Sequence, residues 1–229
     1  KQTAALTDKF LSELKEFEVV ELGAGSAAKT SYLLKHMVSQ GIDFTYYPID
    51  ISANVICNLT KNLPANIPGL VLHGLNGDYF DMLDELKLMS DRNKVVLFLG
   101  SSIGNINLED TENFFRLLRS HLLPGDMVLI GFDLKKDPQV ILAAYNDKGG
   151  ITKRFNLNLL SRINKDLDAD FDTSAFEHKP VYDAETGACK SYLVSSKKQS
   201  VRIGEVGRIQ FDKGESIYME ISQKYAVSQ

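Results

Sequence analysis

Residues 21–30 (ELGAGSAAKT) hold the residue types best suited to seat a ligand. Gly23, Gly25 and Ala28 stand in the spacing G-x-G-x-x-A, a strand-to-helix turn whose small residues let a ligand approach the backbone. On its own this spacing fits a dinucleotide, another adenosine-bearing ligand or a tight turn with no ligand. Asp50 closes the next strand-like run, 27 residues past Gly23, where a carboxylate can accept hydrogen bonds from both hydroxyls of a ribose. Asp78 and Tyr79 follow a third run, where an acid can take an exocyclic amine and a ring can lie against a base. The plainer role for Asp78 is a helix N-cap. FLGSSIGN at 98–105 ends a fourth run. Its small residues bring backbone carbonyls close to a substrate amine, and Asn105 can both donate and accept; the alternative is an ordinary helix-capping loop.

Two of these features separate S-adenosylmethionine (SAM) from NAD. Glu21 precedes the loop as E-x-G-x-G, the usual opening of class I methyltransferases, in which an acid and the glycine turn shape the amino-acid end of the pocket. The Asp78-Tyr79 pair has a use against adenine in methyltransferases and no counterpart in dehydrogenases. Asp50 serves both classes and does not discriminate. The sequence shows no Ser/His/Asp nucleophile arrangement, and methyl transfer to an amine needs none, because positioning and water exclusion carry most of it.

The elements that would position these residues alternate through the first two-thirds of the chain. Phe17–Leu22 (FEVVEL) is β-rich and stops at Gly23, and residues 26–40 then carry Tyr32, Leu33, Leu34 and Met37 at helical spacing. Strands are expected at 44–51, 70–75, 95–99 and 127–132, the one at 95–99 (VVLFL) being apolar on both faces like a central parallel strand. A helix at 108–122 shows an apolar stripe of Phe114, Phe115, Leu117 and Leu118. This order implies βαβ units and a doubly wound sheet. Beyond residue 133 the pattern becomes two helices (139–146, 152–167) and then short strands at 175–182, 190–195, 199–203 and 216–222, with DAETG at 183–187 as a hairpin turn. The expected division is therefore a nucleotide-binding domain over 1–133 and an α+β lobe over 134–229.

Composition sets the outer limits. The 229 residues amount to roughly one and a half domains. Hydrophobic and charged fractions of 44% and 24% are ordinary globular values that exclude wholesale disorder or collagen. A net charge of −4 speaks against nucleic-acid binding through a basic surface. Cys57 and Cys189 lie far apart and form no metal or disulfide spacing with each other or with the four scattered histidines. No bound metal is expected. No apolar run reaches the roughly 20 residues needed to span a bilayer, and the start of the chain has no signal-like stretch, so a reducing cytoplasm is the expected compartment. The chain opens at Lys1 rather than Met, which suggests part of a longer product.

Taken together, the sequence resembles the histidine-specific, SAM-dependent methyltransferase family, whose founding activity is trimethylation of the α-amine of L-histidine on the route to ergothioneine. The resemblance rests on ELGAGSAAKT (21–30), YYPIDIS (46–52), FLGSSIGN (98–105), AAYND (143–147), FNLNLLSRINKDLDADFD (155–172) and MEISQKY (219–225), which run in order across nearly the whole chain. It implies a class I, Rossmann-like doubly wound α/β sheet with an appended substrate-recognition lobe, SAM as methyl donor and a free amino acid as substrate. Gly23, Lys29, Asp50, Asp78 and Tyr79 would then contact SAM. Asn105 and Tyr145 would act at the reacting end, holding the α-amino and carboxylate groups, and Glu220 and Ser222 would hydrogen-bond the imidazole. From the residues alone, Tyr145 could equally be a core aromatic and Glu220 an exposed strand residue. The family also has segments before Lys1 and after Gln229 that this sequence lacks. It departs from the family at Lys190-Ser191, where members often carry Glu-Met near the substrate side chain, which leaves an amino acid other than histidine open. Two alternatives stand beside the enzyme reading: a SAM-binding chain that does not catalyse, and an NAD-dependent oxidoreductase.

Overall fold

A computed structural model describes residues 2–14 and 16–227. The chain divides into two compact units, Lys1–Ile103 with Leu108–Phe132, and Gly104–Asn107 with Asp133–Gln229. The first unit starts with α1 (Gln2–Glu13). It continues with β1 (Phe17–Leu22), α2 (Thr30–Ser39), β2 (Phe44–Asp50), α3 (Ala53–Asn66), two short strands β3 (Val71–Leu72) and β4 (Leu75–Asn76), and α4 (Tyr79–Met89). It closes with β5 (Asn93–Phe98), α5 (Leu108–Ser120) and β6 (Met127–Ile130).

The strands of this unit pair in parallel in the order β3-β2-β1-β5-β6, with β4 also on β2. Side chains alternate across the pleat. Phe17, Val19, Phe44, Tyr46, Val95 and Leu97 therefore share one layer with Leu33, Leu34 and Met37 of α2 and Leu59 and Leu63 of α3. On the opposite face Phe98 stacks on Phe114 of α5 with ring centroids 5.2 Å apart, and Phe80 of α4 lies 5.7 Å from Phe114. Helices on both faces make the sheet doubly wound. The order reverses at β1, whose neighbours are β2 and β5, so the loops leaving the carboxyl ends of β1 and β5 diverge there. That is where open α/β sheets take their ligands.

Helix α1 and the strand at Gly207–Phe211 have no counterpart in the sequence expectation, and two further elements differ from it. Helix α2 starts at Thr30 rather than near residue 26, because Gly25 (φ +51°) and Ala27 (φ +49°) are left-handed and prolong the turn. The strand expected at 70–75 is split. His73 donates to the Tyr46 carbonyl at 3.0 Å and Gly77 to the Asp50 carbonyl at 3.2 Å, so the chain follows β2 in two short pieces. Of the α5 stripe, only Phe114 and Leu118 are fully buried.

The second unit contains α6 (Pro138–Tyr145), α7 (Ile151–Asp166), β7 (Phe176–Tyr182), β8 (Ala188–Ser195), β9 (Gln199–Ile203), β10 (Gly207–Phe211) and β11 (Ser216–Gln223). β11, β8 and β7 form an antiparallel sheet, and β9 and β10 a separate hairpin. Residues 183–187 do make the β7–β8 turn: Gly187 (φ +81°) donates to the Asp183 carbonyl at 2.8 Å, and the Asp183 carboxylate accepts from Glu185 N–H at 2.9 Å. Leu160 of α7 packs with Phe171, Phe176, Leu193, Val201 and Phe211 in the core of this unit. β11 carries a bulge: Tyr218 pairs with Tyr192 but Glu220 with Ser191, so Met219 is one residue extra. Among the described residues no helix is long and apolar enough to cross a membrane.

Candidate functional site

Glu21 anchors the loop that follows β1. It is buried, and its two carboxylate oxygens accept from Thr30 Oγ1 at 2.6 Å and from the Tyr46 hydroxyl. One side chain thereby ties β1 to the first residue of α2 and to β2. Burial pushes the Glu21 carboxyl above its usual range, and the two donated hydrogen bonds offset part of that rise. Above it, the N–H groups of Gly23 and Ala24 donate to the Ile49 carbonyl at 2.9 and 3.1 Å, Gly25 to Asp50 Oδ2 at 3.0 Å, and Ala27 to the Ala24 carbonyl at 2.9 Å. Four N–H groups of the loop are thus spent inside the protein, and Glu21 and Asp50 add negative charge. The loop therefore suits a ligand without phosphates better than a dinucleotide.

Gly23 (φ +70°) separates two cavities. One of about 200 Å³ is lined by Glu21, Gly23, Lys29, Leu99, Gly100 and Ser102 among others. The other, about 250 Å³, is lined by Gly23, Asp50, Ile51, Gly77, Asp78 and Tyr79. All five residues assigned to SAM from the sequence thus fall on these two walls. A Cβ built on Gly23 would lie 2.8 Å from Tyr79 Oη, so the glycine makes room for the tyrosine. Asp50 accepts from Gly25 N–H and, at 2.9 Å, from Ser52 N–H, one bond on each oxygen. Each oxygen keeps a lone pair for a ribose hydroxyl. Asp78 caps α4, accepting from Phe80 N–H at 2.9 Å, so the plainer role foreseen for it is realised, and its carboxylate also edges the second cavity. Burial, reinforced by the charges of Asp50 and Asp78, raises the Tyr79 phenol. Lys29 is exposed at the start of α2 and its side chain makes no capping bond. These walls could hold an adenosine on one side of Gly23 and an amino-acid tail on the other, which fits SAM.

Of the other sequence-assigned residues, Glu220 and Ser222 share one face of the second unit's sheet, Tyr145 on α6 is joined to Ser222 through Lys224, and Asn105 stands apart from all three. The bulge at Met219 places Glu220 opposite Ser191 and Ser222 opposite Cys189, on the face that α6 and α7 cover. Glu220 Oε1 accepts from Asn156 Nδ2 of α7 at 3.2 Å, and Asn156 is buried. His178 Nε2 lies 3.5 Å from the same amide. Burial lowers the His178 imidazole, although the Glu220 and Asp147 carboxylates pull it upward. A cavity of about 280 Å³ opens beside Glu220, lined also by Phe155, Asn156, Leu159, Arg162 and Met219. Tyr145, the last residue of α6, accepts at its hydroxyl from Lys224 Nζ at 2.8 Å. Asn105 ends a 3-10 turn over Ser102–Asn105 and is exposed. Gly104, just before it, abuts the end of β11 so closely that a Cβ there would sit 2.8 Å from the Gln223 carbonyl oxygen.

Asn156 and Lys224 were not singled out from the sequence. Each stands inside a stretch that carries the family resemblance, yet an Asn inside a helix and a Lys after a strand ordinarily face water. Asp147, within AAYND, is a helix cap: its carboxylate accepts from Thr152 N–H at 2.9 Å and Ile151 N–H at 2.8 Å, which hold it at a pKa of about 2. Among the described residues no group of three or more His, Cys, Asp or Glu is gathered as a metal site.

A doubly wound sheet with this strand order, a glycine loop flanked by carboxylates and acids at the ends of β2 and β4 define a class I SAM-dependent methyltransferase fold. The comparisons make the class more specific. Residues 2–229 match the family described as "Histidine-specific methyltransferase, SAM-dependent", and the chain belongs to that family. It is 34% identical over 208 residues to the histidine N-alpha-methyltransferase of Mycobacterium tuberculosis, covering 90% of this chain and 64% of that protein. It is 34% identical over 216 residues to ergothioneine biosynthesis protein 1 of Neurospora crassa, covering 91% of this chain and 24% of that protein. The L-tryptophan methyltransferase trpM of Psilocybe serbica is 28% identical over 227 residues, covering 90% of this chain and 63% of that protein. The chain thus spans less than two-thirds of the length of each of these relatives.

Proposed function

We propose that this protein transfers the methyl group of SAM to the α-amino nitrogen of a free amino acid, with L-histidine as the leading substrate. The observation that carries the reading is the match of residues 2–229 to a histidine-specific family. SAM, when bound, supplies a methyl group on a positively charged sulfur. Gly23, Lys29, Asp50, Asp78 and Tyr79 would hold it, the carboxylates taking ribose hydroxyls and the adenine amine. The acceptor nitrogen must be neutral, so that its lone pair forms the N–C bond as the S–C bond breaks. Its proton then leaves to solvent. Asn105 suits this step, because its side-chain oxygen can accept an amine N–H while the lone pair stays free. Tyr145 would donate to the substrate carboxylate, Glu220 would accept the imidazole N–H, and Ser222 would bond the other ring nitrogen. Glu220 is held by the buried Asn156 amide, with His178 against the same amide, so a charge-assisted bond to an N–H there is worth more than in water. Localisation in the cytoplasm and action on small molecules rather than nucleic acid belong to the same proposal.

The test is incubation of the protein with methyl-labelled SAM and a panel of free amino acids that includes L-histidine and L-tryptophan. Label is expected on L-histidine. Asn105→Ala should lower kcat, and Glu220→Ala should lower kcat/KM by roughly ten- to hundredfold, the equivalent of one charge-assisted hydrogen bond. Full turnover of L-histidine by both variants would refute the assignment. SAM binding with no amino acid methylated would point instead to a chain that binds and does not catalyse, and binding of a nicotinamide dinucleotide would point to an oxidoreductase.

A further inference from the structure

Lys224 lies just past β11, one residue beyond Gln223, and its side chain is 2% exposed. Its backbone N–H donates to the Gly187 carbonyl at 2.8 Å, which fixes it to the β7–β8 turn. Its ammonium has three hydrogens and three oxygen partners: Asp133 Oδ2 at 3.0 Å, Tyr145 Oη at 2.8 Å and Ser222 Oγ at 2.7 Å. The nitrogen also sits 5.0 Å from the centroid of the Tyr145 ring. An ammonium donates and never accepts. Both hydroxyl oxygens therefore receive a hydrogen from Lys224, and each hydroxyl must direct its single proton elsewhere. The two residues assigned to the substrate carboxylate and imidazole are thus both locked as donors by one buried cation.

We propose that Lys224 is a positioning residue that orients the hydroxyl protons of Tyr145 and Ser222 toward the substrate and so selects a neutral imidazole ring. This rests on the amino-acid methyltransferase reading above. Glu220, Ser222 and Lys224 follow at every second residue on one face. The row presents an acceptor and then a donor, which matches a ring with one N–H and one bare nitrogen. A doubly protonated imidazolium would bring an N–H against the Ser222 proton. Without Lys224 the Ser222 hydroxyl can turn and accept, and that discrimination is lost.

The groups facing Lys224 are Asp133, Tyr145, and the Tyr182 and Cys189 side chains of the neighbouring strands. Those facing Glu220 include His178, with Asp147 and Lys153 acting on that histidine. All of them persist in Lys224→Met; Asp133, Tyr182 and Cys189, which feel Lys224, titrate outside pH 5.5–7.5, and the His178 contribution is common to both proteins, so the difference between two pH profiles reports Lys224. The variant also leaves Asp133 paired with Lys136, at 2.8 Å.

The experiment measures L-histidine affinity by calorimetry at pH 7.5 and 5.5 in the SAH-saturated protein, with SAM affinity and thermal unfolding as folding controls. An imidazole of pKa about 6.5 is neutral in about nine-tenths of molecules at the higher pH and one-tenth at the lower, so wild type should weaken about tenfold. Lys224→Met should bind more weakly at pH 7.5 and change less than threefold between the two pH values. Ser222→Ala, which removes no charge, should flatten the profile in the same way, and it carries the test if Lys224→Met does not fold. Profiles in both variants as steep as wild type overturn the proposal, while wild-type methylation of L-histidine leaves the function intact. A wild type that neither binds nor methylates L-histidine overturns both.

Discussion

Gly23→Ala offers a quantitative test of the loop, because Gly25→Ala serves as its control. Both glycines are left-handed, at φ +70° and +51°. An L-residue there costs roughly 1–2 kcal/mol of backbone strain. For a chain of this size that lowers Tm by about 2–4 °C per kcal/mol, so each variant should lose about 2–8 °C. The two differ in what the new methyl meets. At Gly25 nothing lies within 4 Å, whereas at Gly23 the Cβ would stand 2.8 Å from Tyr79 Oη. Tyr79 must then retreat by roughly half an ångström or more to restore van der Waals separation. Gly23 and Tyr79 both line the cavity that contains Asp50 and Asp78, and Gly25 lines neither cavity flanking Gly23. SAM affinity, measured by calorimetry, should fall tenfold or more in Gly23→Ala, a loss of about 1.4 kcal/mol, and by less than threefold in Gly25→Ala. Tyr79→Phe removes the clashing oxygen, so the penalty of Gly23→Ala should shrink in that background. Equal SAM affinities for the two glycine variants would refute the reasoning, as would a penalty that Tyr79→Phe leaves unchanged.

Two further tests use pH. Burial holds the folded Glu21 carboxyl above its unfolded value of 4.5. Its stabilising contribution is therefore complete below pH 4.5 and is lost as pH rises through the folded value. In thermal melts wild type should gain on Glu21→Gln as the solution is acidified; a pH-independent gap would refute this. Asp147 behaves oppositely, since bonds from Thr152 and Ile151 N–H hold its carboxyl at about 2. The stability it adds is present above the unfolded carboxyl value and is lost as pH falls toward 2. The Tm gap between wild type and Asp147→Asn should narrow between pH 4 and 2, and a gap that widens would exclude the cap as its source.

The first unit was legible in the sequence because its signals are local. A strand buried on both faces, such as β5, must be apolar throughout, and a strand–helix turn must be rich in glycine, so both announce themselves residue by residue. The short β3 and β4 were merged in the sequence reading because the break between them depends on hydrogen bonds to β2, which no local pattern records. β10 was missed for a similar reason: of GRIQF only Phe211 is buried, leaving no alternation to detect. Gly23, Asp50, Asp78, Tyr79 and Asn105 stand out by residue type and place after a strand, whereas Lys29, Tyr145, Glu220 and Ser222 are marked only by the family stretches. What the sequence hid was how they are held, because Asn156 and Lys224 acquire their roles from partners 64 and 79 positions away. Alternation alone would also place Glu220 and Ser222 on the face opposite Ile217, whereas the register sets them on the same one.

That last point gives the single extra residue at Met219 a wider meaning. It works as a half-period phase shifter in β11: upstream of it the strand's inward positions serve the hydrophobic core, and downstream they serve polar chemistry. Glu220, Ser222 and Lys224 consequently share one mechanical fate. Deleting Met219 would rotate all three away together without altering any of their identities, while substitutions at Ile217 can tune the core without disturbing them. If this unit holds the amino acid as proposed, recognition is modular along the strand and set by chain length at one point, so a length change there would matter more to substrate choice than most exchanges of side chain.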